Sequence, residues 1–174
     1  DVWAFGHPMD FAGKTTLGRA LAARLGRPFV DLDARIEADA GQAVAAIFAQ
    51  EGEAGFRRRE AQALAAALEL AEAVIATGGG AVLDAGNRAA MRRQATVVYL
   101  TVAPAQQLER LRGDRSRPLL QDADPAMRLA QLQAQREPLY CEAAHLLFDA
   151  GTLAPDAAAA ALAARLAQHA AVPA

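Results

Sequence analysis

Gly13-Lys14-Thr15-Thr16 has the residue types needed to hold a nucleotide triphosphate. A glycine there lets successive backbone N–H groups curl around phosphate oxygens, and a helix opening at that point adds partial positive charge. Lys14 would reach the β- and γ-phosphates, and Thr15 would present its hydroxyl to Mg²⁺. The flanks fit. Residues 2–5 read Val-Trp-Ala-Phe, an apolar run suited to a buried strand, and Leu17, Ala20, Leu21 and Leu25 recur at helical spacing. The stretch between departs from the full pattern, G-x-x-x-x-G-K-[ST]. Pro8 stands at the first glycine position, and from Gly6 the loop is two residues too long. Pro8 donates no N–H, and Asp10 brings negative charge toward the place meant for phosphate.

Three further groups carry chemistry. Asp31 and Asp33 stand two apart where an apolar run ends. On a strand their side chains share a face, one supporting Mg²⁺ through water and the other orienting a hydroxyl and accepting its proton. The alternative is a helix start, with Asp33 as the cap and Glu37 close behind. Arg57, Arg58, Arg59 and Glu60 form a charged cluster on a helical pattern. Arg57 with Glu60 at i,i+3 makes a held guanidinium, a good clamp for a carboxylate, unless the cluster is only a solvated face. Gly78-Gly79-Gly80 follow the apolar Val74-Ile75-Ala76, so a ligand can come close to backbone there, or the chain simply turns. His7, His145 and His169 lack metal-ligand spacing, and Cys141 reads as a packed thiol. No Ser-His-Asp or zinc signature is present.

Positioning these groups together needs strands ending near one another. Apolar runs at 2–5, 28–32, 73–76, 96–101 and 146–148 alternate with helical patterns at 14–25, 43–50, 53–71, 86–94, 104–112, 125–142 and 155–170. Such alternation predicts an α/β fold with a mostly parallel sheet, right-handed crossovers and ligands beyond the carboxyl ends of the strands. The candidate groups fall at those ends. Residues 112–125, with three arginines, Gly and Pro, suit a mobile lid over phosphates or an ordinary surface loop. The last pattern is Ala-rich, with Leu162 and Leu166 on one face.

Composition narrows the class. The chain has 174 residues, 53% hydrophobic and 22% charged, which predicts a single domain over 1–174. A net charge of −2 gives no broad basic surface for nucleic acid. One cysteine excludes an internal disulfide, and no run of eighteen apolar residues or signal-peptide pattern occurs. The expectation is a cytoplasmic protein that binds no membrane.

Six strings in order, Ala-Gly-Lys-Thr-Thr-Leu-Gly-Arg at 12–19, Phe-Val-Asp-Leu-Asp at 29–33, Ile-Phe-Ala-Gln-Glu-Gly-Glu-Ala-Gly-Phe-Arg-Arg-Arg-Glu at 47–60, Thr-Gly-Gly-Gly-Ala-Val at 77–82, Arg-Ser-Arg-Pro-Leu-Leu at 115–120 and Arg-Glu-Pro-Leu-Tyr at 136–140, together resemble shikimate kinase. That family lies in the nucleoside-monophosphate-kinase-like group of P-loop kinases. The resemblance implies a three-layer α/β/α fold with a five-stranded parallel sheet, a mobile lid and, weakly, a monomer. It implies transfer of the γ-phosphoryl of ATP to the 3-hydroxyl of shikimate, with Mg²⁺. By resemblance, Asp33 would orient the substrate hydroxyls and help take the proton. Arg57 and Arg136 would clamp the carboxylate, with Glu60 holding Arg57 and Gly79 and Gly80 offering backbone contacts. Gly13, Lys14, Thr15 and Thr16 would hold the nucleotide, Arg110 would pack on adenine, and Asp31 would support Mg²⁺ with Thr15. Lys14 and Arg117 would neutralise the transferring phosphate. The departure at 6–13 leaves a second reading, an impaired relative that binds shikimate but holds ATP poorly. A third, a kinase for another polyol acid such as gluconate, is disfavoured by Arg57, Arg136, Asp31-Leu32-Asp33 and the triple glycine.

Overall fold

The computed structural model describes residues 2–6, 14–101 and 125–171. Strand β1 (Val2–Gly6) leads to helix α1 (Lys14–Leu25), then β2 (Phe29–Asp31), α2 (Leu32–Ala40) and α3 (Val44–Leu68). Strand β3 (Val74–Ala76), a 3₁₀ turn (Ala81–Leu83), α4 (Ala85–Gln94) and β4 (Ala95–Thr101) follow. The described chain closes with α5 (Pro125–Ala143), β5 (Leu146–Asp149) and α6 (Pro155–Ala170).

The strands form a five-stranded sheet in the order β2-β3-β1-β4-β5. Every pairing is parallel, with Ala4 opposite Ile75 and Val97, and Val30 opposite Ile75. A parallel sheet is covered on both faces, so its inner strands are apolar on both sides. The period-2 alternation sorts them. Val74, Val98, Leu100 and Phe148 join a core with Leu17 and Leu21 of α1 and Leu162 and Leu166 of α6. Ile75, Val97 and Tyr99 face the opposite core, with Leu32 and Ile36 of α2, Leu64 of α3, Met91 of α4 and Tyr140 of α5. Each fully buried leucine or isoleucine contributes about 1.5–3 kcal/mol through apolar burial. Among the described residues no helix is long and apolar enough to cross a membrane.

Two elements differ from the sequence expectation. The run at 28–32 is a strand only to Asp31, and Leu32 already opens α2, which the apolar pattern missed. The cause is Asp31 itself. Its side chain accepts the Ala34 N–H at 3.2 Å and caps the helix, so the capping residue is Asp31 and not Asp33. A local side-chain bond of this kind competes with continuation of the sheet ladder. The patterns at 43–50 and 53–71 meet in one helical span broken at Gly52, whose φ of 68° only glycine adopts readily. Across that break Arg59 donates to both carboxylate oxygens of Glu51, at 3.1 and 3.0 Å from Nε. The hydrogen bond from Arg59 holds the Glu51 carboxyl below its ordinary range.

Gly18 sets the spacing of α1 against β2. A Cβ there would stand 2.6 Å from the Phe29 ring. Three residues earlier in α1 Thr15 meets Asp31, two residues beyond Phe29, so this close approach bears on the site. Gly18→Ala is expected to lower the melting temperature by a few degrees: overpacking costs about 1–3 kcal/mol, against a helix-propensity gain of up to about 1 kcal/mol. A thermal scan checks it.

At the opposite end of the sheet, His145 Nδ1 accepts the Val97 N–H at 3.0 Å while the His145 N–H donates to the Val97 carbonyl at 2.8 Å. A protonated imidazole cannot accept there. Burial first, then Arg92 and His169, lowers the His145 pKa from 6.5. The unfolded chain therefore takes the proton first. The contribution to stability is complete above about pH 6.5 and is lost as the pH falls through the lowered folded value. Melting temperatures between pH 7.5 and 5 are expected to fall less steeply in His145→Asn than in the parent.

Candidate active site

Four consecutive residues after β3 are each met by side chains from elsewhere in the chain. The Thr77 carbonyl accepts Lys14 Nζ at 2.9 Å, and Lys14 is buried. A Cβ on Gly78 would stand 3.2 Å from Asp33 Oδ1 and 3.3 Å from Glu60 Oε1. The Gly79 carbonyl accepts the hydroxyl of Tyr140. A Cβ on Gly80 would stand 2.2 Å from Arg57 Nη1 and 2.3 Å from Nη2. None of the three glycines has a positive φ. Gly78 and Gly80 are small because carboxylates and a guanidinium press on the backbone there, and free rotation is not what they supply.

Each side chain is delivered by a different element. Lys14 and Thr15 open α1, and Thr15 Oγ1 donates to Asp31 Oδ2 at 2.8 Å. Asp31 thus caps α2 and holds Thr15 at once. Asp33 lies in the first turn of α2, so the two aspartates converge through a strand-to-helix turn and not through strand alternation. With Ala34, Glu37, Ala76 and Thr77 they border a cleft of about 270 Å³. Glu37 is tied down, accepting the Val44 N–H at 2.8 Å.

Arg57 and Glu60 come from the second half of α3. Arg57 Nη1 donates to Glu60 Oε2 at 2.7 Å, and the Glu60 side chain is 1% exposed. Glu53, largely solvated, reaches Arg57 Nη2 at 3.4 Å. Arg57 Nε is buried with no hydrogen-bond partner in the protein. A buried donor left so costs about 1–3 kcal/mol, and the Nε and Nη2 edge of a guanidinium is a fork that a carboxylate fits. The solvated-face reading therefore fails for Arg57 and Glu60, while Arg58 is exposed.

Arg136 is half-buried on α5, four residues before Tyr140, so both share one helix face. Thr16 is exposed on the first turn of α1. Gly13, Arg110, Arg117, the loop residues Pro8 and Asp10, and positions 112–124 of the expected lid lie outside the described residues. The sequence reading missed Tyr140 and the Thr77 carbonyl. Tyr140 could have been found from its i,i+4 spacing to Arg136; nothing in the sequence marks a backbone carbonyl.

A parallel α/β sheet with a lysine and a threonine opening the helix after its central strand, facing acidic and arginine side chains at the strand ends, has the architecture of the P-loop kinases. The family model for shikimate kinase matches residues 11–167, and the chain belongs to the shikimate kinase family. The shikimate kinase of Symbiobacterium thermophilum is 55% identical over 137 residues, 78% of this chain and 79% of that protein. That of Bordetella pertussis is 51% identical over 82% of this chain and 67% of its own length. Among solved structures, shikimate kinase from Acinetobacter baumannii in complex with shikimate is 38% identical with a TM-score of 0.90, covering 98% of this chain and 94% of that one. A gluconokinase from Sinorhizobium meliloti, at 19% identity and a TM-score of 0.53, shares the fold alone. The chain is an ATP-dependent phosphotransferase, and these matches give no support to the reading of an impaired relative.

Proposed function

We propose that this chain transfers the γ-phosphoryl group of ATP to the 3-hydroxyl of shikimate, a step toward chorismate and the aromatic amino acids. The observation that carries the proposal is the convergence on Gly78 and Gly80: a carboxylate able to take a proton lies beside a guanidinium able to take a carboxylate. A small acid carrying hydroxyl groups matches both. Arg57 and Arg136 clamp its carboxylate, Glu60 keeps Arg57 in place, and Gly79 and Gly80 contact the ring through backbone. Asp33 orients the reacting hydroxyl. As its oxygen bonds to the γ-phosphorus and the bond to the β-phosphate oxygen breaks, Asp33 accepts the hydroxyl proton and ADP leaves. Lys14, with Arg117 from a lid at about 112–125, spreads positive charge over the transferring group. This chemistry depends mostly on positioning and charge, with little covalent work for the protein.

The nucleotide is assigned to Gly13, Lys14, Thr15 and Thr16, with Arg110 against adenine. Thr15 and Asp31 would hold Mg²⁺, Asp31 through water. A hydroxyl beside one carboxylate suits a cation that keeps several waters and takes phosphate oxygens as further ligands. Among the described residues no cluster of three His, Cys, Asp or Glu makes a cage for a metal without substrate. When bound, Mg²⁺ would neutralise phosphate charge. The chain is read as one domain over 1–174, a monomer of the cytoplasm. An ADP-release assay with shikimate, gluconate or no acceptor tests the function. Shikimate-dependent ADP release, with one new phosphate ester by phosphorus NMR and none from gluconate, is the expected result. Shikimate bound at saturating ATP–Mg²⁺ without turnover would overturn it.

A further inference from the structure

We infer that Tyr140 is a positioning residue for the substrate clamp, setting through its hydroxyl the orientation of the Gly79–Gly80 peptide and the seat of the Arg136 turn against it. The inference rests on the proposed shikimate site. The Tyr140 side chain is 1% exposed, and its hydroxyl donates to the Gly79 carbonyl, 61 residues away in sequence. A trans peptide is planar, with its C=O and N–H pointing to opposite sides. Fixing the Gly79 carbonyl toward α5 therefore turns the Gly80 N–H away from α5. The carbonyls on either side are already used, Gly78 accepting from Ala81 N–H at 3.2 Å and Gly80 from Leu83 N–H at 3.0 Å. The strip is thus held by its own turn on both sides of the one carbonyl that Tyr140 takes.

The ring is itself fixed. Tyr140 stacks on Tyr99 of β4, with centroids 4.9 Å apart and planes at 11°. The hydroxyl is therefore aimed from the sheet, and the helix that carries it is registered to the sheet at that point. Arg136 lies one turn earlier on the same face of α5, and the Arg57 guanidinium closes on Gly80, the next residue of the strip. One hydrogen bond therefore ties the helix that carries Arg136 to the strip against which Arg57 of α3 rests. Pro138, between Arg136 and Tyr140, removes an intrahelical N–H, so the turn holding Arg136 has less support from its own helix. The tether at Tyr140 supplies it.

Tyr140→Phe keeps the stack and removes only the hydroxyl. The expected result is a rise of about tenfold in the KM and Kd for shikimate, the size of one net buried hydrogen bond. The KM for ATP and kcat are expected to stay within about twofold. Incorporation of 4-aminophenylalanine at 140 restores a donor at the same place and should return the shikimate Kd toward the parent value. An unchanged shikimate Kd in Tyr140→Phe overturns the inference, as does a parallel rise in both Michaelis constants or a fall in kcat alone. If Tyr140→Phe does not fold, the aminophenylalanine protein decides: parent-like shikimate binding supports the donor role, and weakened binding with a normal ATP KM overturns it. Arg57→Lys in the same titration separates the two levels. If it leaves shikimate binding intact, the clamp reading itself fails. If it weakens binding while Tyr140→Phe does not, only the role of Tyr140 fails.

Discussion

Asparagine at position 33 is expected to lower kcat by about 10²–10⁴-fold, the range a positioned general base supplies. Asparagine fills the same space beside Gly78 and still offers one oxygen to a substrate hydroxyl, so shikimate is expected to bind within about threefold of the parent, well under the tenfold that 1.4 kcal/mol represents. What it cannot do is accept the proton at neutral pH. The surroundings make the split clean. Asp33 sits in the first turn of α2, but the helix is capped by Asp31, so the substitution removes no cap. Thr15 also bonds to Asp31, which leaves the nucleotide side in place. Single-turnover rates with shikimate prebound would show the loss in the chemical step. An equal loss in shikimate affinity would mean that Asp33 is chiefly a binding group.

The second large effect is expected from one methyl group. In Gly80→Ala the new Cβ falls on the Arg57 guanidinium, at 2.2–2.4 Å from three of its atoms. A guanidinium at the end of a long side chain can swing away, so the chain can still fold, and the cost falls on the site and on the buried pair beneath it. Displacing Arg57 breaks its 2.7 Å pair with Glu60, whose carboxylate is buried, and removes the fork proposed to meet the substrate carboxylate. Charge-assisted hydrogen bonds of this kind are worth about 1.5–3 kcal/mol, so shikimate binding is expected to weaken by roughly 10–150-fold. Calorimetric titration measures the loss, and a thermal scan on the same sample should show a lower melting temperature as well, because the buried Glu60 carboxylate has lost its Arg57 partner.

How far this site could be read from the chain depended on the kind of signal each residue leaves. Lys14, Thr15, Asp33, Arg57 and Glu60 stand out as candidates in the sequence because side chains in short, ordered strings carry their chemistry, and the fold brings them to one strip. The alternation of apolar runs and helical patterns gave the parallel sheet because buried parallel strands are continuously apolar. The helix start expected at Asp33 falls two residues earlier for a local reason: Phe29-Val30-Asp31-Leu32 looks like one strand until the Asp31 side chain is known to bond back to Ala34 and cap α2. The triple glycine was read as room for a ligand, whereas its first occupants are the protein's own Asp33, Glu60 and Arg57. Contacts of that sort are tertiary, and single-sequence periodicity holds no record of them. The Tyr140 hydroxyl bond escaped for the same reason.

The strand order has a consequence for how this enzyme is made. β1 is central, yet its neighbours are β3 and β4, and Lys14 reaches Thr77 across 63 residues. Contacts of such long sequence separation form slowly because loop closure must precede any reward. During synthesis the first strand emerges with no partner and waits until most of the described sheet has been translated. In a complete chain folding from the denatured state, a local helix such as α6 can form early and still contribute nothing to the strip at 77–80. In refolding, helical signal is therefore expected to recover ahead of catalytic activity, and return of turnover would report completion of the sheet itself.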